Sequence, residues 1–150
     1  ISWLGRITDE DKIDRLAQCS VFCAPSLHSE SFGIVVLEAM ASGTPVVASS
    51  LEGYRNVGTH DVNAWLVEPG DIAELAEGLT RLLVDKKLAK KLSDGGLVRA
   101  SELSMSRLAQ IYIEMYHAVL ERELLVPNHH PKSRVVRLFS DRVLRKNPAL

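Results

Sequence analysis

Pro25-Ser26-Leu27-His28-Ser29-Glu30-Ser31-Phe32-Gly33-Ile34-Val35-Val36-Leu37-Glu38-Ala39-Met40 reads as a strand end, a loop and then a helix, with Gly33 at the helix entrance. The first N–H groups of a helix have no partner within it and carry a partial positive charge, so such an entrance suits a diphosphate or sugar hydroxyls. A glycine lets a ligand approach without a Cβ in the way, although a tight turn into a core helix would also explain it.

Outward from this stretch, short apolar runs alternate with longer helical patterns. Strands are expected at residues 2–4, 21–25, 45–49 and 65–67, each short and apolar, as strands buried on both faces are. Helices are expected near residues 10–18 and 32–42, the latter ended by Gly43, with a short one at 52–57. Asp71 is placed to cap a helix carrying Ile72, Leu75, Leu79 and Leu82 on one face. A lysine-rich helix follows over residues 86–100, with Gly95-Gly96 as its weak point, and a long one begins at Ser106. The pattern predicts an α/β fold: a parallel sheet with helices on both faces, then a long C-terminal helix. Residues 1–126 are expected to form one domain, and residues 127–150 a Pro/His linker and basic tail.

Composition narrows the function. A net charge of −1 over 150 residues argues against a general nucleic-acid binder, which needs a basic field. The charge is uneven, because residues 127–150 hold six cations and one acid, which leaves the tail at +5 and the rest at −6. Cys19 and Cys23 are too few for a disulfide framework, and His129-His130 is a lone doublet, so no metal set is read. No run is apolar enough to span a bilayer and none reads as a signal peptide, so a cytoplasmic location is expected. The chain opens directly in apolar sequence, Ile1-Ser2-Trp3-Leu4-Gly5, which suggests a piece of something longer.

Glu38 is the residue that draws attention. From Ile34 to Ala41 every other residue is apolar, and a helix apolar all round is normally buried. A buried carboxylate needs a partner, either an Arg or Lys in a salt bridge or a bound ligand. Five residues past Gly33 is about 7.5 Å along a helix, a position from which a carboxylate could accept from two ribose hydroxyls. Glu30, in the loop before the helix, is by spacing alone an ordinary loop acid.

Glu30-x7-Glu38 with Phe32-Gly33 between resembles the motif of the family-four retaining glycosyltransferases, whose two Rossmann-like domains face a cleft in the GT-B fold. The similarity runs over about residues 2–120. It includes Trp3-Leu4-Gly5, Cys23-Ala24-Pro25, Glu38-Ala39-Met40-Ala41, Gly43-Thr44-Pro45-Val46-Val47-Ala48-Ser49 and Pro69-Gly70-Asp71. Glu30-Ser31-Phe32-Gly33-Ile34-Val35 and Leu51-Glu52-Gly53-Tyr54-Arg55-Asn56-Val57 look most like the phosphatidylinositol mannosyltransferase type. The resemblance implies the donor-binding, C-terminal half of that fold.

The resemblance also implies residue roles. Glu30 would hydrogen-bond the donor sugar as the catalytic-site carboxylate. The backbone N–H groups of Phe32, Gly33 and Ile34 would meet sugar hydroxyls and diphosphate, and Glu38 would hold the ribose. Asp9 and Lys12 match the positions that read guanine, an acid for its N–H edge and an ammonium for its carbonyl. As bare residues, Asp9 reads equally as a helix N-cap and Lys12 as a solvated charge. The implied donor is GDP-mannose and the implied acceptor an inositol lipid, with no metal or other cofactor. An Arg and a Lys that clamp the diphosphate would lie in a segment just upstream of residue 1, and the acceptor site would belong to the N-terminal domain, a necessary partner.

Departures from the pattern are few. Asp61 and Ala64 hold positions where the family often has glycines, which predicts a shifted or shortened loop. Ser20 and Met105 replace the usual Asp and Trp. In residues 133–146, Val135, Val136, Phe139 and Val143 lie at near-helical spacing among five cations, a pattern that suits an anionic membrane surface, a solvated tail or a helix packed on the missing domain.

Overall fold

The computed structural model describes residues 1–125. The expected linker and basic tail, residues 127–150, lie outside the described residues. The backbone divides into two units, residues 1–108 and residues from Ala109 onward. The first holds the sheet.

Three parallel strands, β1 (Phe22–Ala24), β2 (Val46–Ser49) and β3 (Trp65–Val67), lie in that order. Val47 is in register with Cys23 on one side and Trp65 on the other, and Ala48 with Ala24 and Leu66. Six helices accompany them: α1 (Asp9–Gln18), α2 (Ile34–Ala41), α3 (Glu52–Val57), α4 (Ile72–Val84), α5 (Lys86–Glu102) and α6 (Met105–Leu125). Each connection between neighbouring strands contains a helix, as parallel pairing demands.

The period-two alternation of β2 divides the core. Val46 and Ala48 point into a cluster with Val36, Ala39 and Met40 of α2, Leu16 of α1 and Tyr54 and Val57 of α3. Val47 points the other way, to Val67, Leu82 of α4 and Leu92 of α5. Helices therefore cover both faces, as the sequence pattern predicts, and all four residues of β2 are buried.

Several helix ends follow local chemistry. Asp71 Oδ1 accepts from the Glu74 amide at 2.9 Å and caps α4, as expected. Asp85 Oδ1 does the same for α5, accepting from Lys87 and Leu88. Thr8, not Asp9, caps α1, its hydroxyl accepting from Asp11 at 3.1 Å. The start of α2 moves from 32 to Ile34, because Gly33 has φ 94° and ψ 37°, a left-handed conformation outside the helix.

Two expectations need correction. Residues 2–4 form no strand, since Trp3 is 93% and Leu4 45% exposed, so the burial that would fix this run on the sheet is missing. Gly95 and Gly96 are not a weak point but a close approach. A Cβ on Gly96 would stand 3.1 Å from Met40 Cγ, and one on Gly95 only 2.4 Å from the Val62 carbonyl oxygen. The loop holding Asp61 keeps a left-handed turn without glycine: Asp61 has φ 58°, and Asp tolerates this region better than most residues. Its carboxylate lies 3.1 Å from Lys91 Nζ.

A candidate donor site at the entrance of α2

The loop from Ser26 to Gly33 leaves β1 at its carboxyl end and enters α2. In open parallel sheets ligands bind outside this edge. Glu30 turns its carboxylate onto the helix entrance, where Oε1 accepts from the amides of Phe32 (3.2 Å) and Gly33 (3.0 Å). The chain's own carboxylate thus satisfies two of the unpaired donors that the sequence reading assigns to a ligand. Ser29, just before Glu30, has φ 62°.

Gly33 is buried, and the space a Cβ would take is already filled. Tyr54 Cδ1 lies 3.1 Å and the Gly53 carbonyl oxygen 3.2 Å from that point. Packing against α3 therefore requires glycine here, in addition to the positive φ. Phe32 and Ile34 on either side are 40% and 61% exposed.

Glu38 is not buried as the apolar helix suggests; its side chain is 35% exposed. Only one side of α2, with Val36, Ala39 and Met40, faces the core, whereas Ile34 and Val35 are open. The partner of Glu38 is Lys12, whose Nζ donates to Oε1 at 2.7 Å. Lys12 also lies 3.2 Å from Asp9 Oδ1. The hydrogen bond to Glu38, then that to Asp9, raises the Lys12 pKa above its ordinary value.

Asp9, Lys12 and Glu38 thus form one charged chain from α1 to α2. Glu30, Phe32, Gly33 and Ile34 form the helix entrance. Three residues in contact with this site had no role in the sequence reading: Ser26, Gly53 and Tyr54. The hydroxyls of Ser26 and Tyr54 are 3.0 Å apart. The available signal was a glycine inside a six-residue helix, costly there unless another backbone comes close.

Pro25, Leu27, Ser49, Val67 and Ile72 line a small recess of about 140 Å³ along the same strand ends. Among the described residues no group of three His, Cys, Asp or Glu side chains could hold a metal ion. Among them too, no helix is long and apolar enough to cross a membrane.

Comparison with known proteins agrees with this architecture. The chain is 38% identical over 119 residues to the phosphatidyl-myo-inositol mannosyltransferase of Mycobacterium leprae, a match covering 79% of this chain and 32% of that protein. It is 40% identical over 95 residues to the D-inositol 3-phosphate glycosyltransferase of Thermobispora bispora, covering 63% of this chain and 22% of that one. The crystal structure of Anabaena HepE in complex with UDP and glucose superposes with a TM-score of 0.70 at 28% identity, over 78% of this chain and 32% of HepE. The chain thus spans about a third or less of these proteins' lengths. The family model for glycosyl transferases group 1 matches residues 1–97. With the parallel sheet, the helix entrance behind β1 and these matches together, the chain belongs to the group 1 glycosyl transferases.

Proposed function

We propose that this chain is the donor-binding half of a retaining glycosyltransferase that moves mannose from GDP-mannose to an inositol-lipid acceptor. The observation that carries the reading is the pairing of a helix entrance, edged by Glu30, with the carboxylate of Glu38 further along the same helix. In this reading the ligand's diphosphate and sugar meet the amides of Phe32, Gly33 and Ile34, and Glu30 moves its hydrogen bonds to the sugar. Glu38 accepts from the ribose hydroxyls, and Asp9 and Lys12 face the base. Likeness to relatives named for inositol-containing acceptors supports the acceptor class.

The described residues place backbone donors at the entrance but no cationic clamp beside them. A leaving diphosphate needs positive charge, so we assign that charge to a segment of the full-length enzyme upstream of residue 1, and the acceptor site to its other domain. Residues 1–126 are the donor domain in this proposal. Residues 127–150, with their +5 charge, are a tail that holds the enzyme against the anionic inner face of the cell membrane.

Calorimetric titration of the full-length enzyme with GDP-mannose, UDP-glucose and ADP-glucose tests the donor. Tightest binding of GDP-mannose is expected. HepE was crystallised with UDP and glucose, and preference for a UDP-sugar here would replace the guanine reading while leaving the roles of Glu30 and Glu38 intact. Transfer activity from residues 1–150 alone would overturn the half-site proposal.

A further inference from the structure

Gly53, the second residue of α3, is buried directly against the main chain of Glu30. A Cβ built on it would stand 2.3 Å from the Glu30 carbonyl oxygen, 2.6 Å from its carbonyl carbon and 2.9 Å from its Cγ. Two of these three atoms are backbone, so rotating a side chain cannot relieve the overlap. Any residue larger than glycine at 53 must push the Glu30 peptide aside. Tyr54, 2% exposed, continues the contact by lying under Gly33 and placing its hydroxyl 3.0 Å from that of Ser26.

The first turn of α3 therefore touches the loop at its beginning (Ser26), its middle (Glu30) and its end (Gly33). Between these points Ser29 is held at φ 62°, a conformation that persists where the surroundings enforce it. The geometry points to Gly53 and Tyr54 as positioning residues for Glu30. The bare backbone of Gly53 sets how close the Glu30 peptide comes to α3, and so where its carboxylate stands against the amides of Phe32 and Gly33. This inference rests on the sugar-facing role proposed for Glu30. A catalytic group displaced by an ångström can lose about a hundred-fold in rate.

The test uses the full-length enzyme and the donor that the titration selects. The variants are Gly53→Ala, Tyr54→Phe, Glu30→Ala and the double variants with Glu30→Ala. Gly78→Ala serves as comparison, because its Cβ would stand 2.4 Å from Trp65 Cδ1, a similarly short approach on α4, there to a side chain. The readouts are kcat, KM, affinity for the free nucleoside diphosphate, and Tm.

Gly53→Ala is expected to lower kcat about ten-fold or more while diphosphate affinity stays within about two-fold, since that ligand carries no sugar. In the Glu30→Ala background it should cost nothing further, because residues acting through one group are not additive. Gly78→Ala should lower Tm without this selective loss of kcat. An undiminished kcat in Gly53→Ala, or the same loss with and without Glu30, overturns the positioning role. A normal kcat in Glu30→Ala instead overturns the role of Glu30 itself. Should Gly53→Ala not fold, Tyr54→Phe decides the matter, since it adds no volume and removes only the hydroxyl facing Ser26. A kcat loss that disappears in the Glu30→Ala background supports the inference, and wild-type kcat overturns it.

Discussion

The ammonium of Lys12 lies 2.7 Å from Oε1 of Glu38, joining α1 to α2 across 26 residues of sequence. Sequence reasoning gives these two residues separate tasks, one at a base and the other at a ribose. In the folded chain each is the other's counter-charge. A pair about one-third exposed stays open to ligand hydroxyls, and a carboxylate has a second oxygen to offer.

Replacing each member separates the tasks. Glu38→Gln should weaken binding of GDP and UDP alike by about 1.5–3 kcal/mol, because both carry a ribose and a neutral amide replaces a charged acceptor. Lys12→Ala should weaken GDP and leave UDP nearly unchanged. Calorimetry on the full-length enzyme compares the four affinities. Equal losses for both nucleotides in Lys12→Ala would make Lys12 only the counter-ion of Glu38.

The same contact has a signature in pH. The folded-state pKa of Lys12 is raised, first by Glu38 and then by Asp9. The stability this lends is fully present below the ordinary lysine value of 10.5, and is lost as pH rises through the raised one. The contribution of the Lys12 ammonium should therefore be insensitive to pH across the neutral range. Side-chain NMR of labelled lysines should show Lys12 titrating above 10.5, and in Glu38→Gln its midpoint should fall.

Gly95→Ala sets two effects against each other. Helix propensity alone favours alanine in a helix interior by about 1 kcal/mol. The new Cβ would meet the Val62 carbonyl oxygen at 2.4 Å, and overpacking against fixed backbone typically costs about 1–3 kcal/mol. Net destabilisation is expected, read as a lower midpoint in urea. A gain in stability would show that the residue 59–64 loop yields easily.

The two thiols should react at different rates. Cys19 is exposed, whereas Cys23 lies in β1, half-buried, and burial raises its pKa. Since the thiolate is the reactive form, iodoacetamide at pH 8 should label Cys19 well before Cys23. Mass spectrometry of timed digests measures the order. Simultaneous labelling would mean that β1 opens readily.

What the sequence revealed follows from range. Residues 52–57 and 65–67 were legible to the residue because their signals are local: a polar six-residue turn, and an apolar run between turn residues. The parallel sheet was legible from alternation of elements. Contacts between elements were not. Nothing in the sequence ties Lys12 to Glu38, or Gly53 to Glu30, because each pair meets only when separate helices and loops dock. Gly95 and Gly96 looked like helix breakers because propensity is local and Met40, which fills the space beside Gly96, belongs to another helix. The expected strand at residues 2–4 failed for the converse reason: its local pattern was right, but Trp3 finds no cover.

The arrangement of β2 bears on how quickly this fold can assemble. Val47 meets Cys23 on one flank and Trp65 on the other, and neither meeting can begin with a hairpin. Each requires a loop containing a whole helix, α2 or α3, to close before any ladder bond compensates the lost chain entropy. Distant pairings of this kind form more slowly than a hairpin, and the step expected to limit folding is the one in which the middle strand first gains a neighbour. Val47→Ala should accordingly slow refolding more than it speeds unfolding, whereas trimming Leu79 on the outer face of that packing should do the reverse. The strand that gives the sheet its centre is thus also the one whose arrival is expected to set its pace.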